Sequence, residues 1–466
     1  MVRDDPPTTD LAMQRLTRRT TAASYAALAA LALAASAAAA AGGDSTPLRK
    51  AGRASQQSTR LISRALDGGL PNGPSTHPAI SGDRRWARLV AFQSEASNLV
   101  RRDTNGFSDV FVVRRAGSIR NNGSGWTPKR AVLVSRGLGG QPANGPSFSP
   151  TLDGAFKRAP KCMAFLSAAS NLVKGDTNGK VDAFLSSRPG RHPRRISLPR
   201  RRQATEDTTA VAVSGDCSRI AFVTGGRLYV RRGRRVRRVR ARGPVTDPSF
   251  TIGISNDLVF AARRGVYLSR DATRRPKLVG PGGRNPSFND IFSLGGSGAA
   301  CKRPTVAYER KVGSHWQIVT RQLGRKPRIV SRRRGKVGNG DSRHPTIANA
   351  GCYVTFETDA GNLGVNANGE PGDYNRAPDV YLFTAVRQLT LVQSVRNKAV
   401  PISGGGRNPG MSYYANYIVF DAPAPLRDQG YVEPRRGEPD PRYIDPLPPG
   451  PDIRPRQIYM RYLGPA

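Results

Sequence analysis

The chain repeats one four-part unit, and the last copy comes out one part short. The first part is centred on Pro-Ser-Phe or His-Pro: HPAIS at His77, GPSFS at Gly145, TAVAVS at Thr209, DPSFT at Asp247, NPSFN at Asn285, HPTIA at His344 and NPGMS at Asn408. An apolar segment follows each time: LVAF at Leu89, CMAF at Cys162, RIAF at Arg219, DLVF at Asp257, TVAY at Thr305, YVTF at Tyr353 and YIVF at Tyr417. A third reads DVFV at Asp109, DAFL at Asp182, RLYV at Arg227, GVYL at Gly265, WQIV at Trp316, DVYL at Asp379 and QIYM at Gln457. The fourth appears only six times: AVLVS at Ala131, RRISL at Arg194, RRVRRV at Arg234, PKLVG at Pro276, PRIVS at Pro327 and QLTLV at Gln388. Short apolar runs separated by Gly, Pro, Asn and Asp read as strands and turns. The 50 Gly and 37 Pro leave little room for helices.

The missing fourth strand is available at the other end, as TRLIS from Thr59. An early strand that completes the last sheet closes a ring and leaves no dangling edge. The repeat therefore predicts an all-β fold, a seven-bladed β-propeller of four-stranded blades closed by an N-terminal strand. Six blades, with one weak unit miscounted, is the alternative. Residues 1–41 are read as a leader, 42–58 as a basic linker and 59–466 as the propeller, with a Pro-rich insertion at 422–455 in blade seven.

The unit PAIS…VAFQSEASNLV…DTNG…DVFV resembles the repeats of TolB-like β-propellers from exported bacterial proteins. The resemblance covers essentially the whole chain after the leader. It is strong in blades one, two and six and degenerate in three to five. TolB carries an extra α/β domain before its propeller, for which no segment is seen here, so its partners are not carried over. The Gly-x-Ser-x-Gly elbow of propeller peptidases and the Asp-box of sialidase propellers are both missing. Fold alone does not fix function.

Leu16 to Arg19 (LTRR) precedes an Ala/Leu stretch from Ala22 to Ala41 and then Gly42-Gly43, the layout of a secretory signal. Asp4, Asp5 and Asp10 fit that layout poorly, so Met13 competes with Met1 as the start. An uncleaved membrane anchor and a cytoplasmic protein are the other readings. The expected location is extracellular or cell-envelope associated. The chain's 74 Lys and Arg against 33 Asp and Glu give a net charge of +41. A surface so charged draws polyanions, although Arg- and Ala-rich composition also follows from GC-rich coding.

The duplicated stretch SEASNLVRRDTNGFSDVF, from Ser94, matches SAASNLVKGDTNGKVDAF, from Ser167, at twelve of eighteen positions. Asp103, Asn105 and Asp109, repeated as Asp176, Asn178 and Asp182, set oxygen donors around a glycine turn and are candidate calcium ligands. The closing bidentate Glu of an EF-hand is missing, and Asn-Gly serves equally as a hairpin turn capped by Asp. A phosphate cradle is excluded for want of a following helix and Lys. Calcium is the one candidate cofactor. Long second-to-third loops in blades six, seven, one and two predict a continuous crest on one face, and crowded insertions on one face mark a binding surface.

Cys162, Cys217, Cys301 and Cys352 each precede a second strand. Pairing of 162 with 217 and 301 with 352 would staple neighbouring blades; free thiols and a metal site remain alternatives. His77 and His344 occupy equivalent inner positions and read as structural. Eight arginines crowd into Arg231–Arg242: Arg231, Arg232, Arg234, Arg235, Arg237, Arg238, Arg240 and Arg242. They form either an anion-gripping patch or a charged edge that resists strand pairing. No aromatics interleave them, which disfavours nucleic acid. The expectation is thus an exported, monomeric, non-enzymatic propeller. It binds a protein or an acidic envelope polymer through the crest, with the arginines adding electrostatic attachment. A propeller enzyme acting on a carbohydrate or phosphorylated substrate is the alternative, and would need carboxylates converging on the central pocket.

Overall fold

The computed structural model describes residues 58–83, 86–116, 126–154, 159–187, 191–197, 203–251, 255–290, 303–348, 351–363, 377–385, 389–393, 404–424 and 454–463. The leader, the linker up to residue 57, Cys301, Asn366 and Asn368 of the blade-six loop and most of the blade-seven insertion lie outside them, whereas His192 is described and exposed. Seven antiparallel four-stranded sheets follow in chain order. From innermost strand outwards, blade one is Ser75–Ile80, Leu89–Ser94, Asp109–Arg114 and Val132–Leu133. Blade two is Ser147–Leu152, Met163–Ser167, Asp182–Ser186 and Arg194–Arg195. Blade three is Thr208–Val213, Ile220–Thr224, Arg227–Arg232 and Arg235–Arg238. Blade four is Thr246–Phe250, Leu258–Ala262, Gly265–Ser269 and Lys277–Pro281. Blade five is Gly283–Asn289, Thr305–Val312, His315–Gln322 and Arg328–Ile329. Blade six is Ser342–Ala348, Tyr353–Thr358, Asp379–Thr384 and Leu389–Val392.

Blade seven has Arg407–Met411, Tyr417–Pro423 and Arg456–Tyr462, and its outer strand is Ser58–Leu61 from the far end of the chain. The propeller therefore has seven blades and closes as the strand count predicts. Ser63 fastens the closure by donating to the Gln457 carboxamide at 2.8 Å. A small hairpin, Arg332–Arg333 with Lys336–Val337, precedes blade six and was not legible in the repeat.

Side chains alternate across each strand, so every blade presents one apolar face to each neighbour. In blade one Val90 and Phe92 pack toward blade seven, while Leu89 and Ala91 pack toward blade two. Seven such buried clusters serve the seven junctions. The core is thus a ring of interfaces, which a six-bladed chain could not supply. In six blades an aromatic residue of the second strand stacks across the pair on one of the third, from Phe92–Phe111 at 5.9 Å to Phe420–Tyr459 at 6.1 Å. Such cross-strand pairs add to simple burial.

The innermost strands carry a recurrent bulge. His77, Ser149, Asp247, Asn285, His344 and Asn408 all take φ near +50°. Each precedes a proline, and each sits at a register shift. Proline cannot donate to a ladder, so the bulge is where a strand tolerates it. One alignment in the sequence reading is corrected here. In blade two the bulge proline is Pro150, and Gly145-Pro146 corresponds instead to Gly73-Pro74.

Candidate functional site

The crest loops are braced by paired asparagines. Asn72 receives the Ser97 N–H on its Oδ1 (3.0 Å) and donates to Ser97 Oγ (2.8 Å), while Asn98 Oδ1 accepts the Asn72 N–H (3.1 Å). Asn144 and Asn171 repeat the exchange in blade two, and Asn339 and Asn362 in blade six. The glycine after each first asparagine is forced by close approach. A Cβ on Gly73 would stand 2.9 Å from the Glu95 carbonyl oxygen, and one on Gly340 would stand 2.7 Å from that of Asp359. The ASN half of each clamp sits in the duplicated motif, and its NG partner lies some 25 residues upstream.

Within DTNG, the Asn105 carboxamide accepts the Phe107 N–H (3.0 Å) and donates to Asp109 (2.7 Å) and to the Ala143 carbonyl of the next blade (3.1 Å). Asn178 does the same with Lys180, Asp182 and Ala204. Ser135 and Ser197 donate to the other oxygen of Asp109 and Asp182. These loops therefore tie successive blades together. Burial raises the Asp109 pKa to about 6 against the Ser135 and Asn105 hydrogen bonds, and the nearby Asp103 charge adds to the rise. Asp103 and Asp176 are likewise raised by burial, Asp176 less freely because the Arg195 guanidinium opposes it.

The structure joins Cys162 to Cys217 across blades two and three, with Cα atoms 6.1 Å apart, and Cys352 is also disulfide-bonded. Asp153 lies within 4.8 Å of both sulfurs of the first pair, which as a disulfide offers no thiolate to a metal. Burial raises Asp153 to about 7 despite N–H groups of Lys161 and Cys162, helped by the charge of Asp83.

The histidines serve an inter-blade latch that the sequence reading missed. The bulge N–H of His77 points at Asp421, Ser149 at Gln93, His344 at Glu309 and Asn408 at Glu357, at 2.7–3.4 Å. Each acceptor follows the second-strand aromatic of the preceding blade, as FQ, YE, FE or FD, and that pattern was the available signal. Carboxylates do converge on the innermost strands, but from second strands, and they already accept several bonds. Glu309 also takes Arg284 and Asn285. His77 is held below the usual range, chiefly by burial. Burial also opposes charging His344, but the Glu357 contact at 3.0 Å outweighs it and raises the pKa.

A cleft of about 1040 Å³ lies between the outer edges of blades three and four. Arg232, Arg235, Arg237, Arg238, Arg240 and Arg242 of the predicted run line it, joined by Arg219 of blade three and by Arg264, Arg274 and Arg275 of blade four. Arg231 and Arg234 do not. Val230, Val239, Ala241, Tyr267 and Leu278 provide apolar surface, and no acidic side chain among the described residues lines the cleft. The outer strand Arg235–Arg238 spans about 10 Å at roughly 3.3 Å per residue. Arg232 stands directly across the ladder from Arg235, a like-charge pairing that costs stability without a counter-ion. Among the described residues, the one cleft arginine with a paired carboxylate is Arg219, with Asp271 at 3.0 Å.

No protein-family model matches the chain, and no curated protein matches it. Solved structures do. The β-propeller domain of the Trilobed protease from Pyrococcus furiosus, described as having an open velcro topology, is similar over 75% of this chain and 91% of its own, at 9% identity and a TM-score of 0.42. TolB from Acinetobacter baumannii is similar over 57% of this chain and 60% of its own, at 15% identity and a TM-score of 0.30. The likeness is one of fold. The chain's own closure by Ser58–Leu61 and its arginine cleft are read from this structure alone. The three blade-four arginines escaped the sequence reading because they sit singly or in a pair in turns of a different repeat.

Proposed function

We propose that this propeller is a binding protein of the cell envelope that holds an acidic polymer, phosphorylated or carboxylated, in the cleft between blades three and four. The observation that carries this is the convergence of ten arginines from two blades on one cleft with no acidic lining among the described residues. Guanidinium forks match phosphate and carboxylate oxygens in pairs and give up their water readily. The apolar strip along the cleft suits the ring or carbon backbone of such a polymer. A charged edge that merely resisted pairing would need only its own strand, whereas here blade four contributes from across the cleft.

The test is binding to polyphosphate and to polygalacturonate over a salt series. Arg237→Glu with Arg240→Glu is expected to weaken binding at least tenfold and to flatten its salt dependence. Arg101→Glu with Arg102→Glu on the crest, where both side chains are exposed, is expected to leave it nearly unchanged. Equal loss in both variants would mean that net charge alone attracts the polymer, and the proposal would fall. The two polymers separate the phosphate and carboxylate sources.

A protein partner at the crest is the second reading. Among the described residues the exposed large apolar side chains are Phe107, on the second-to-third loop of blade one, and Leu70, Leu138 and Val337, on the segments that enter blades one, two and six and bond to the loops at Asn98, Asn171 and Asn362. Clustered exposed apolar groups mark contact surfaces more than isolated ones do.

A further inference from the structure

The two DTNG loops are alike in sequence but unlike in charge balance. In blade two the Arg195 guanidinium stands between Asp176, at 2.7 Å, and Asp182, at 3.3 Å. Strand register identifies its counterpart in blade one. Phe184 faces Arg195 and Phe111 faces Leu133, so Leu133 holds the equivalent place and brings no charge. The serines two residues on, Ser197 and Ser135, bond the equivalent Asp182 and Asp109, which confirms the match.

The blade-one carboxylates are nevertheless kept. Asp103 is only 8% exposed, and among the described residues no donor or cation contacts its carboxylate. Asp109 is fully buried, with one donor on each oxygen from Ser135 and Asn105. The Asn105 amide cannot turn to relieve Asp103, because its oxygen is committed to the Phe107 N–H. A buried carboxylate without a partner is costly, and a second one nearby makes it more so.

We propose that Asp103 and Asp109 hold a hard divalent cation, calcium being the fitting one, at the place where the Arg195 guanidinium stands in blade two. Hard cations take carboxylate oxygens, and two carboxylates leave the remaining coordination to water or to acidic groups of a bound partner. A site with so few protein ligands belongs to the weak range, with Kd of about 10⁻⁴–10⁻³ M. The duplicated motif then has one cation position filled from within the chain and one filled from solution.

The experiment is thermal unfolding of the whole propeller in 10 mM calcium and in chelator. The wild type is expected to unfold about 2–4 °C higher with calcium. Asp103→Asn is expected to lose the difference. Leu133→Arg, which installs the blade-two solution, is expected to lose it as well, whereas Asp176→Asn keeps it. No calcium effect in the wild type, or an undiminished effect in Asp103→Asn, would overturn the proposal. If Leu133→Arg fails to fold, Asp103→Asn decides alone.

Discussion

At the residue scale, most motif residues are explained by what they fasten. Asn144→Ala removes a clamp that exchanges bonds with Ser170 and Asn171, and a loss of about 1–2 kcal/mol in denaturant unfolding is expected. Two acid groups give opposite pH signatures. Asp153 has a pKa of about 7 in the fold against 3.8 for a free side chain, so the folded state binds its proton more tightly. Stability therefore falls as pH rises between those values, by up to about 1.4 kcal/mol per pH unit. Asp153→Asn should remove that slope and leave the variant comparatively more stable at pH 8. In the His344–Glu357 pair only the glutamate works in the other sense. His344 is raised, so its contribution is present below 6.5 and lost as pH climbs through its folded value. Glu357 is lowered, despite burial, by its bond to His344, so its contribution is present above 4.5 and lost in acid. His344→Gln should therefore cost most between about pH 4.5 and 6.5, which unfolding midpoints across pH will show. The sequence displayed His77 and His344 as equivalent inner residues, but not the carboxylates that accept their backbone N–H groups, because those belong to the preceding repeat.

At the element scale, the strand succession was legible because each unit keeps the same order of bulge, apolar strand and aromatic strand. The seven inner, second and third strands fall where HPAIS-, LVAF- and DVFV-like segments stand. The outer strands were harder to bound: those of blades one, two and five are two residues each. They are held by a short ladder and by single serine or backbone contacts, and so leave only a weak imprint on pattern. The arginine cleft shows the limit of reading along the chain. Arg235 to Arg242 form a visible run, but Arg264, Arg274 and Arg275 become its neighbours only once blade four packs on blade three. The Cys162–Cys217 link spans 55 residues and joins two blades that side-chain packing and loop hydrogen bonds also hold. Cys162→Ser with Cys217→Ser is expected to cost about 2–4 kcal/mol, measured by denaturant titration without reductant. A cost near zero would mean that packing at this junction already suffices.

At the scale of the whole molecule, the seven junction clusters and the borrowed outer strand make one continuous ring. Removing residues 58–61 would bare the Arg456–Tyr462 edge and withdraw the ladder that Thr59, Arg60 and Leu61 make with it. An exposed edge is a template for another chain. The truncated protein should melt at lower temperature and self-associate, as light scattering coupled to size-exclusion chromatography will show. A monomer of unchanged melting temperature would mean that the latch is dispensable.

The latch also sets an order in time. Ser63 and Gln457, which bond across the seam, are 394 positions apart. On a ribosome, or emerging from a membrane pore, the first strand of the propeller must therefore wait, unpaired, until nearly every later residue has appeared. Distant pairings are slow because the intervening chain has to be ordered first. The seam closes only once residues 456–462 have appeared. A product cut short anywhere before residue 456 keeps its early strand exposed, and so carries a mark by which quality control can tell it from a complete molecule.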